Sequence, residues 1–256
     1  MNNVLYYNER ELEFINERKL KEIVKIIRLF VDEVDKGLRP CFIGRMFSYQ
    51  WIINLWTQHV LELSKEAMNN IIIGNFFSLG SLNRTIIECY VYSYCIKNFK
   101  EEKLWETWVS HNINKNLSKY RFPDSTEKEF AKETFSKFKS HDIKKGENEW
   151  LRDVIQTHKN KRISFKDICN LVESKEENMK NIYSDYQKMC DYVHGTDLSI
   201  KWLNFTFYDT YYQLIVIMFK YISKSLISLS DNNLSITKLN SIEYEFYALM
   251  NDIFNN

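Results

Sequence analysis

Apolar residues recur at three- and four-residue steps through most of this chain, and the step is clearest near its start. Leu12, Ile15, Leu20, Ile23, Val24, Ile27, Phe30, Val31 and Val34 form one stripe, with mostly Glu, Lys, Arg and Asp between them. That pattern predicts an amphipathic helix over 9–36, ended by Gly37 and Pro40. A second helix is expected over 41–68. There Phe47, Tyr49 and Trp51 alternate as in a strand, but Trp51, Leu55, Gln58, His59, Glu62 and Leu63 keep the helical step. Residues 71–98 predict a third helix, with Gly74 and Gly80 as points of close helix approach.

The character changes at residue 99. Residues 99–181 are rich in Lys, Glu, Asn and Ser, and they predict shorter surface helices over 101–119, 126–139 and 147–160, punctuated by Pro123 and Gly146. Ser164 followed by Asp167 is a capping-box start for a helix through Val172. This stretch reads as a more polar helical insertion within a single domain covering 1–256. A further helix is expected over 175–194, ending at Gly195. Residues 203–229 are nearly all apolar or aromatic, with Asp209 the only charge between Trp202 and Phe219. An amphipathic helix over 239–254 follows. Low-charge helices flanked by amphipathic ones predict an all-α helical bundle.

Composition narrows the function classes. The 256 residues include only 6 Gly and 2 Pro, too few for a turn-rich strand fold. There is no GxGxxG and no GxxxxGK[ST], which disfavours nucleotide motors and dinucleotide oxidoreductases. Lys plus Arg number 35 against 34 Asp plus Glu, a net charge of +1. This excludes a strongly basic nucleic-acid coat but not a local basic patch. The cysteines Cys41, Cys89, Cys95, Cys169 and Cys190 form no CxxC and read as reduced, mostly buried thiols. The polar, acidic start MNNVLYYNERELEF differs from a signal peptide, and 71–96 is too broken to cross a membrane. A cytoplasmic protein without a membrane partner is expected. HExxH and zinc-type Cys/His pairs are absent, and Asp191-x-x-His194 is a single copy, so neither a metal nor a cofactor is expected.

Two places carry candidate chemistry. Arg84 and Glu88 are the only charges in 71–96, and their spacing puts both on one helix face, one turn apart. Buried charges are costly unless paired or used. An arginine held by a carboxylate can bind a phosphate or a developing negative charge; the plainer reading is an ion pair that steadies its helix. His194 ends a helix before Gly195, where the helix dipole favours a cation. It is either a capping histidine or a general acid/base titrating near neutrality. A shared site requires His194 within about 8 Å of Arg84 or Glu88, a span one water or ligand can bridge. Cys190 lies one turn before it. The basic run His158-Lys-Asn-Lys-Arg162, near Trp150 and Phe165, is a solvated face or a place to hold RNA by phosphate contact and stacking.

LNRTIIECYVYSYCIKN (82–98), with its Arg-x-x-x-Glu helix, and YQKMCDYVHG (186–195), with its Tyr-x-x-x-Cys-x-x-x-His ending, together resemble a family of bacterial all-helical proteins. Through that family the chain resembles the HEPN domains (higher eukaryotes and prokaryotes nucleotide-binding). The resemblance implies a HEPN-like bundle, commonly a homodimer. Its activity would be metal-independent RNA cleavage in a toxin or antiviral defence system, with an antitoxin or defence-system partner. It implies His194, Arg84 and Glu88 as catalytic, and Tyr186, Lys188 and Asp191 as contacts to RNA or a nucleotide. One departure matters. HEPN ribonucleases carry Arg-x(4–6)-His on one helix, but Gln187, Lys188 and Met189 stand at those positions here, so Lys188 is the only cation in register. Cys190 also stands where the family tends to have Ser. The alternatives are a non-catalytic nucleotide- or partner-binding module and a buried polar network that only fixes packing.

Overall fold

In the computed structural model of this chain the described residues are 17–37, 48–117, 125, 126, 129, 133, 146–155, 161–194, 207–230 and 236–255. The expectations at 9–16, 41–47, 118–119, 156–160 and 203–206, at most of 126–139, and at Pro123 and Gly195 lie outside them. Among the described residues eight α-helices are delimited: α1 Glu17–Gly37, α2 Tyr49–Ile72, α3 Phe76–Asn98, α4 Leu104–Leu117, α5 Phe165–Lys175, α6 Ile182–His194, α7 Phe207–Leu229 and α8 Ile236–Asn255. A 3-10 turn covers Glu149–Leu151. No strand occurs among the described residues, and the class is all-α, as the hydrophobic pattern predicts.

The described residues fall into two compact units. The first holds those within Met1–Pro40, Thr57–Tyr90 and Ser184–Asn256; the second holds those within Cys41–Trp56 and Val91–Tyr183. The described residues of the polar stretch 99–181 therefore belong to the second unit, together with one end each of α2 and α3.

In the first unit α1, α7 and α8 pack on one another. From Leu20 onward every apolar position of the α1 stripe is buried, from Ile23 and Ile27 to Phe30 and Val34, because the helical step stacks them on one face. Phe30 meets Phe219 of α7 edge-on, 5.4 Å between centroids, and Phe219 lies 3.9 Å from Phe246 of α8. Burying each such ring contributes about 1.5–3 kcal/mol. Tyr211–Leu229 of α7 is, among the described residues, the one stretch long and apolar enough to cross a membrane, and 61% of it is buried within the protein.

Polar groups on these apolar helices bind them to each other. The Tyr211 hydroxyl donates to the Ile71 carbonyl near the end of α2 (2.7 Å), and Asn83 Nδ2 of α3 donates to the Leu214 carbonyl of α7 (2.9 Å). Gly74, with φ of 67°, makes the left-handed cap of α2. Its N–H reaches the Ile71 carbonyl at 3.2 Å and the Asn75 N–H reaches the Asn70 carbonyl at 2.9 Å. Asn75 Oδ1 then accepts the Ser78 N–H and caps α3 (3.2 Å). Gly74 is thus a turn residue and not a point of close approach, for nothing lies within 4 Å of where its Cβ would be. Gly80 does serve close approach: a Cβ there would overlap the Tyr192 ring of α6.

In the second unit Ser48 Oγ accepts the Trp51 N–H (3.2 Å) and starts α2. Trp56 packs against Trp108 of α4 at 5.4 Å, and Tyr49 against Trp105 at 6.3 Å. Lys103, with φ of 55°, closes a turn, and α4 begins at Leu104 rather than at 101. The helix expected over 147–160 does not form in 146–155. Glu149, Trp150 and Leu151 are all buried, which no single face of an α-helix permits for three consecutive residues. Arg152 clamps Glu149 within this tight turn, with contacts of 2.6–2.9 Å. The predicted capping box is present: Ser164 N–H donates to Asp167 Oδ2 (2.9 Å) and Asp167 N–H to Ser164 Oγ (3.3 Å). That helix runs past Val172 to Lys175. The expected single helix over 175–194 is broken. Glu176 turns extended, Asn181 takes a left-handed φ of 62°, and α6 starts at Ile182, whose N–H donates to Glu173 Oε1 at 2.7 Å.

The packing at Gly80 has a measurable consequence. Alanine replacing glycine inside a helix usually stabilises by about 0.5–1 kcal/mol. Here Gly80→Ala is expected to destabilise by about 1–3 kcal/mol in a urea melt, because the methyl meets the rigid base of the Tyr192 ring. The loss should shrink when Tyr192→Leu is added. A Gly80→Ala protein as stable as wild type would disprove the close packing.

Candidate functional site

The site lies within the first unit and is built on α3 and α6. Arg84 and Glu88 sit one turn apart on α3. Arg84 Nε donates to Glu88 Oε1 at 3.2 Å, and the two side chains are 29% and 30% exposed. The partial burial expected from their apolar helix is therefore present. Tyr186, in the second turn of α6, donates its hydroxyl to the same Glu88 oxygen at 3.0 Å. The Arg84 guanidinium also lies 5.4 Å from the Tyr186 ring centre, in cation–π range. One carboxylate oxygen thus joins a cation on its own helix to a phenol on another.

The electrostatics follow from that arrangement. Burial works against the charge on Arg84, but the neighbouring Tyr186 and Glu88 oxygens outweigh it and hold its pKa above the ordinary value. Tyr186 is pushed well above the usual value of 10, first by burial and then by the Glu88 carboxylate beside it. Cys190 is half-buried one turn further along α6. At neutral pH the cluster is a charged guanidinium, a carboxylate and a neutral phenol. It can bind an anion at the guanidinium, and the phenol remains a hydrogen-bond donor.

The other residues singled out in the sequence lie as follows. His194 is the last residue of α6, two turns beyond Tyr186, and its side chain lies outside the described residues. Lys188 is well exposed and stands 3.9 Å from Asp185. Asp191 is half-buried. Trp150 is 2% exposed and is a core residue, so it offers no face for a base to stack on. Sequence reasoning missed Asp185, in the first turn of α6. It accepts the Tyr221 hydroxyl at 2.9 Å and Lys220 Nζ at 3.3 Å, both from α7. The available signal was Lys220, one of only three charged residues on α7 beside Asp209 and Lys224, whose charge needs a partner.

Among the described residues no three His, Cys, Asp or Glu side chains group as a metal site would require. The free thiols Cys89, Cys95 and Cys169 are buried, and burial pushes Cys89 and Cys169 up to about 12. They are inert thiols at neutral pH.

An all-α chain in which two helices share an Arg–Glu–Tyr cluster is the class that fold and site define. Residues 50–210 match a family of unknown function (DUF5677), and the chain belongs to that family. No curated protein and no solved structure matches it.

Tyr186 gives a test of the cluster. Its phenol ionises near 10 when unfolded and later when folded. The stability it contributes is therefore complete below about 10 and is lost as pH rises above that value. Tyr186→Phe is expected to cost about 0.5–1.5 kcal/mol at pH 7 and to show a shallower loss of stability above pH ~10 than wild type. Urea melts between neutral and alkaline pH measure both. Identical alkaline slopes would rule out the shared bond to Glu88.

Proposed function

We propose that this protein is a HEPN-like, metal-independent ribonuclease of the toxin or defence type, acting in the cytoplasm. The observation that carries the reading is the Arg84–Glu88–Tyr186 cluster, in which a carboxylate fixes a guanidinium that still keeps 29% of its surface exposed. An exposed but oriented arginine suits a phosphodiester better than a freely moving lysine does, because its planar fork matches two phosphate oxygens. The resemblance of 82–98 and 186–195 to HEPN-related proteins supplies the reaction class, and with it a homodimer and an antitoxin-like partner.

In this reading the His194 imidazole takes the proton of a ribose 2′-hydroxyl. The freed oxygen attacks the adjacent phosphorus, a P–O2′ bond forms, the P–O5′ bond breaks, and the leaving 5′-oxygen takes up a proton. Arg84 stabilises the negative charge that builds on the non-bridging oxygens, and Glu88 orients Arg84. Tyr186 contacts the substrate from its place beside the guanidinium, and Lys188 and Asp191 contribute further along α6. The chemistry requires only a base and a cation, so a chelator is expected to leave the rate unchanged.

A second reading, a non-catalytic nucleotide- or partner-binding module, is favoured by one observation. The only α6 cation in register with His194 is Lys188, and it stands beside Asp185.

The test is RNA cleavage by purified variants, with a melting curve beside each. His194→Ala is expected to lose about a hundredfold or more, the usual scale for a general acid/base. Arg84→Ala is also expected to lose activity, and Arg84→Lys to recover only part of it. The melting curves are needed so that a variant that has lost its fold is not read as one that has lost catalysis. If wild type cleaves no RNA, or if folded variants cleave like wild type, the ribonuclease reading gives way to the binding module.

A further inference from the structure

The second unit presents a basic and aromatic surface that the cluster on α3 and α6 does not use. Lys161, Arg162 and Lys166 are all exposed, within six residues of one another, around the start of α5. Arg162 and Lys166 make no ion pair with a carboxylate among the described residues, whereas Lys161 stands 4.0 Å from Asp167. Phe165, between them, is half-buried with its ring edge-on to Tyr92 at 5.8 Å. Lys166 Nζ also lies over the Tyr183 ring at 5.6 Å.

The backbone that carries these cations is held in place. Arg152 Nη2 donates to the Lys161 carbonyl at 2.9 Å. Asn148 Nδ2 donates to the Ile163 carbonyl at 3.2 Å, and Asn148 Oδ1 accepts the Tyr92 hydroxyl at 3.1 Å. The carbonyls on either side of Arg162 are thus both engaged, and Ile163 is buried while Arg162 and Ser164 stay outside. The nearby carboxylates are largely committed. Asp167 closes the helix cap on Ser164, and Glu149 is clamped by Arg152. Glu147 and Asp153 are the exposed acidic neighbours in sequence. The Ser164 N–H is taken by the Asp167 carboxylate and the Asp167 N–H by Ser164 Oγ, so the side-chain cations, and not the helix end, are what an anion would meet.

We infer that this surface binds single-stranded RNA. Arg162 and Lys166, with Lys161, hold the phosphate backbone, and a base rests against Phe165. The inference rests on the RNA reading given above and adds where the strand is held. Exposed cations set close together around the start of α5 match a polyanion, and the partly exposed Phe165 ring between them in sequence offers unpaired bases a stacking contact that duplexes do not need.

The test uses the full chain and a fluorescein-labelled oligouridine of about 12 nucleotides, a length within the usual single-strand site range. Anisotropy is followed at several salt concentrations. Arg162→Ala/Lys166→Ala is expected to bind about tenfold more weakly or worse. Its log–log salt slope should be shallower by about 1.4, that is about 0.7 for each phosphate no longer neutralised. Phe165→Leu is expected to bind several-fold more weakly with the slope unchanged. Lys166→Glu, at an exposed helix position, serves as a second variant if the double variant melts early. Wild-type and double-variant proteins binding alike, or a wild type that does not bind the oligonucleotide at low salt, would overturn the inference. If wild type cleaves RNA and the double variant binds and cleaves equally well, this surface is wrong and the ribonuclease reading stands. If wild type binds through these residues and never cleaves, the ribonuclease reading fails and this surface stands.

Discussion

The first unit depends on how α6 is fastened. Two adjacent residues near its start engage different helices: Asp185 takes the Tyr221 hydroxyl and Lys220 ammonium of α7, and Tyr186 reaches Glu88 of α3. Adjacent positions on a helix point about 100° apart, so one turn of α6 meets both neighbours at once. Two turns further on, the Tyr192 ring rests on Gly80 of α3, at a distance only glycine allows. Each of these contacts is a polar or aromatic group placed against an otherwise apolar helix. Each would be costly if left unpartnered. Together they fix the rotation of α6 and, with it, the axis along which His194 follows Tyr186.

How much of this was legible depends on the range of the interaction. The α1 stripe was readable because burial follows the helical period over many residues, and the Ser164–Asp167 cap because it is a four-residue motif with a local mechanism. The Arg84–Glu88 pair was readable for the same reason: its partners are one turn apart. Tyr186 could be linked to that pair only by resemblance, since 98 residues separate its hydroxyl from Glu88. The break before α6 was invisible because the group that caps it, the Glu173 carboxylate, belongs to the preceding helix and reaches across a turn. Trp150 was misread for a related reason. Lying close in sequence to basic residues says nothing about which way a ring faces, and this one faces the core.

Polar contacts of two kinds occur in the two units. In the second unit the buried Glu149 is 4% exposed and takes three short contacts from Arg152. A charge so deeply placed must be matched closely, and the match specifies a turn whose Arg152 also holds the Lys161 carbonyl. In the first unit Arg84 and Glu88 are each about a third exposed. Solvent already screens them there, so their attraction contributes little to stability. The contrast separates a pair that shapes the backbone from one whose geometry leaves it open to a ligand.

That difference bears on why a functional reading of Arg84 is preferred to a structural one. An exposed i,i+4 pair adds only about 0.3–0.5 kcal/mol, a small return for an arginine on a helix whose other side chains are mostly apolar. The bond to Glu88 uses Nε, the nitrogen nearest the stem. Glu88 meanwhile accepts from Tyr186 on the same oxygen, which ties the guanidinium's anchor to a second helix. An ion pair required only for helix stability has no need of that second tie. In the proposed anion-binding role it would help, because an arginine that already has its orientation loses less freedom when a phosphate arrives.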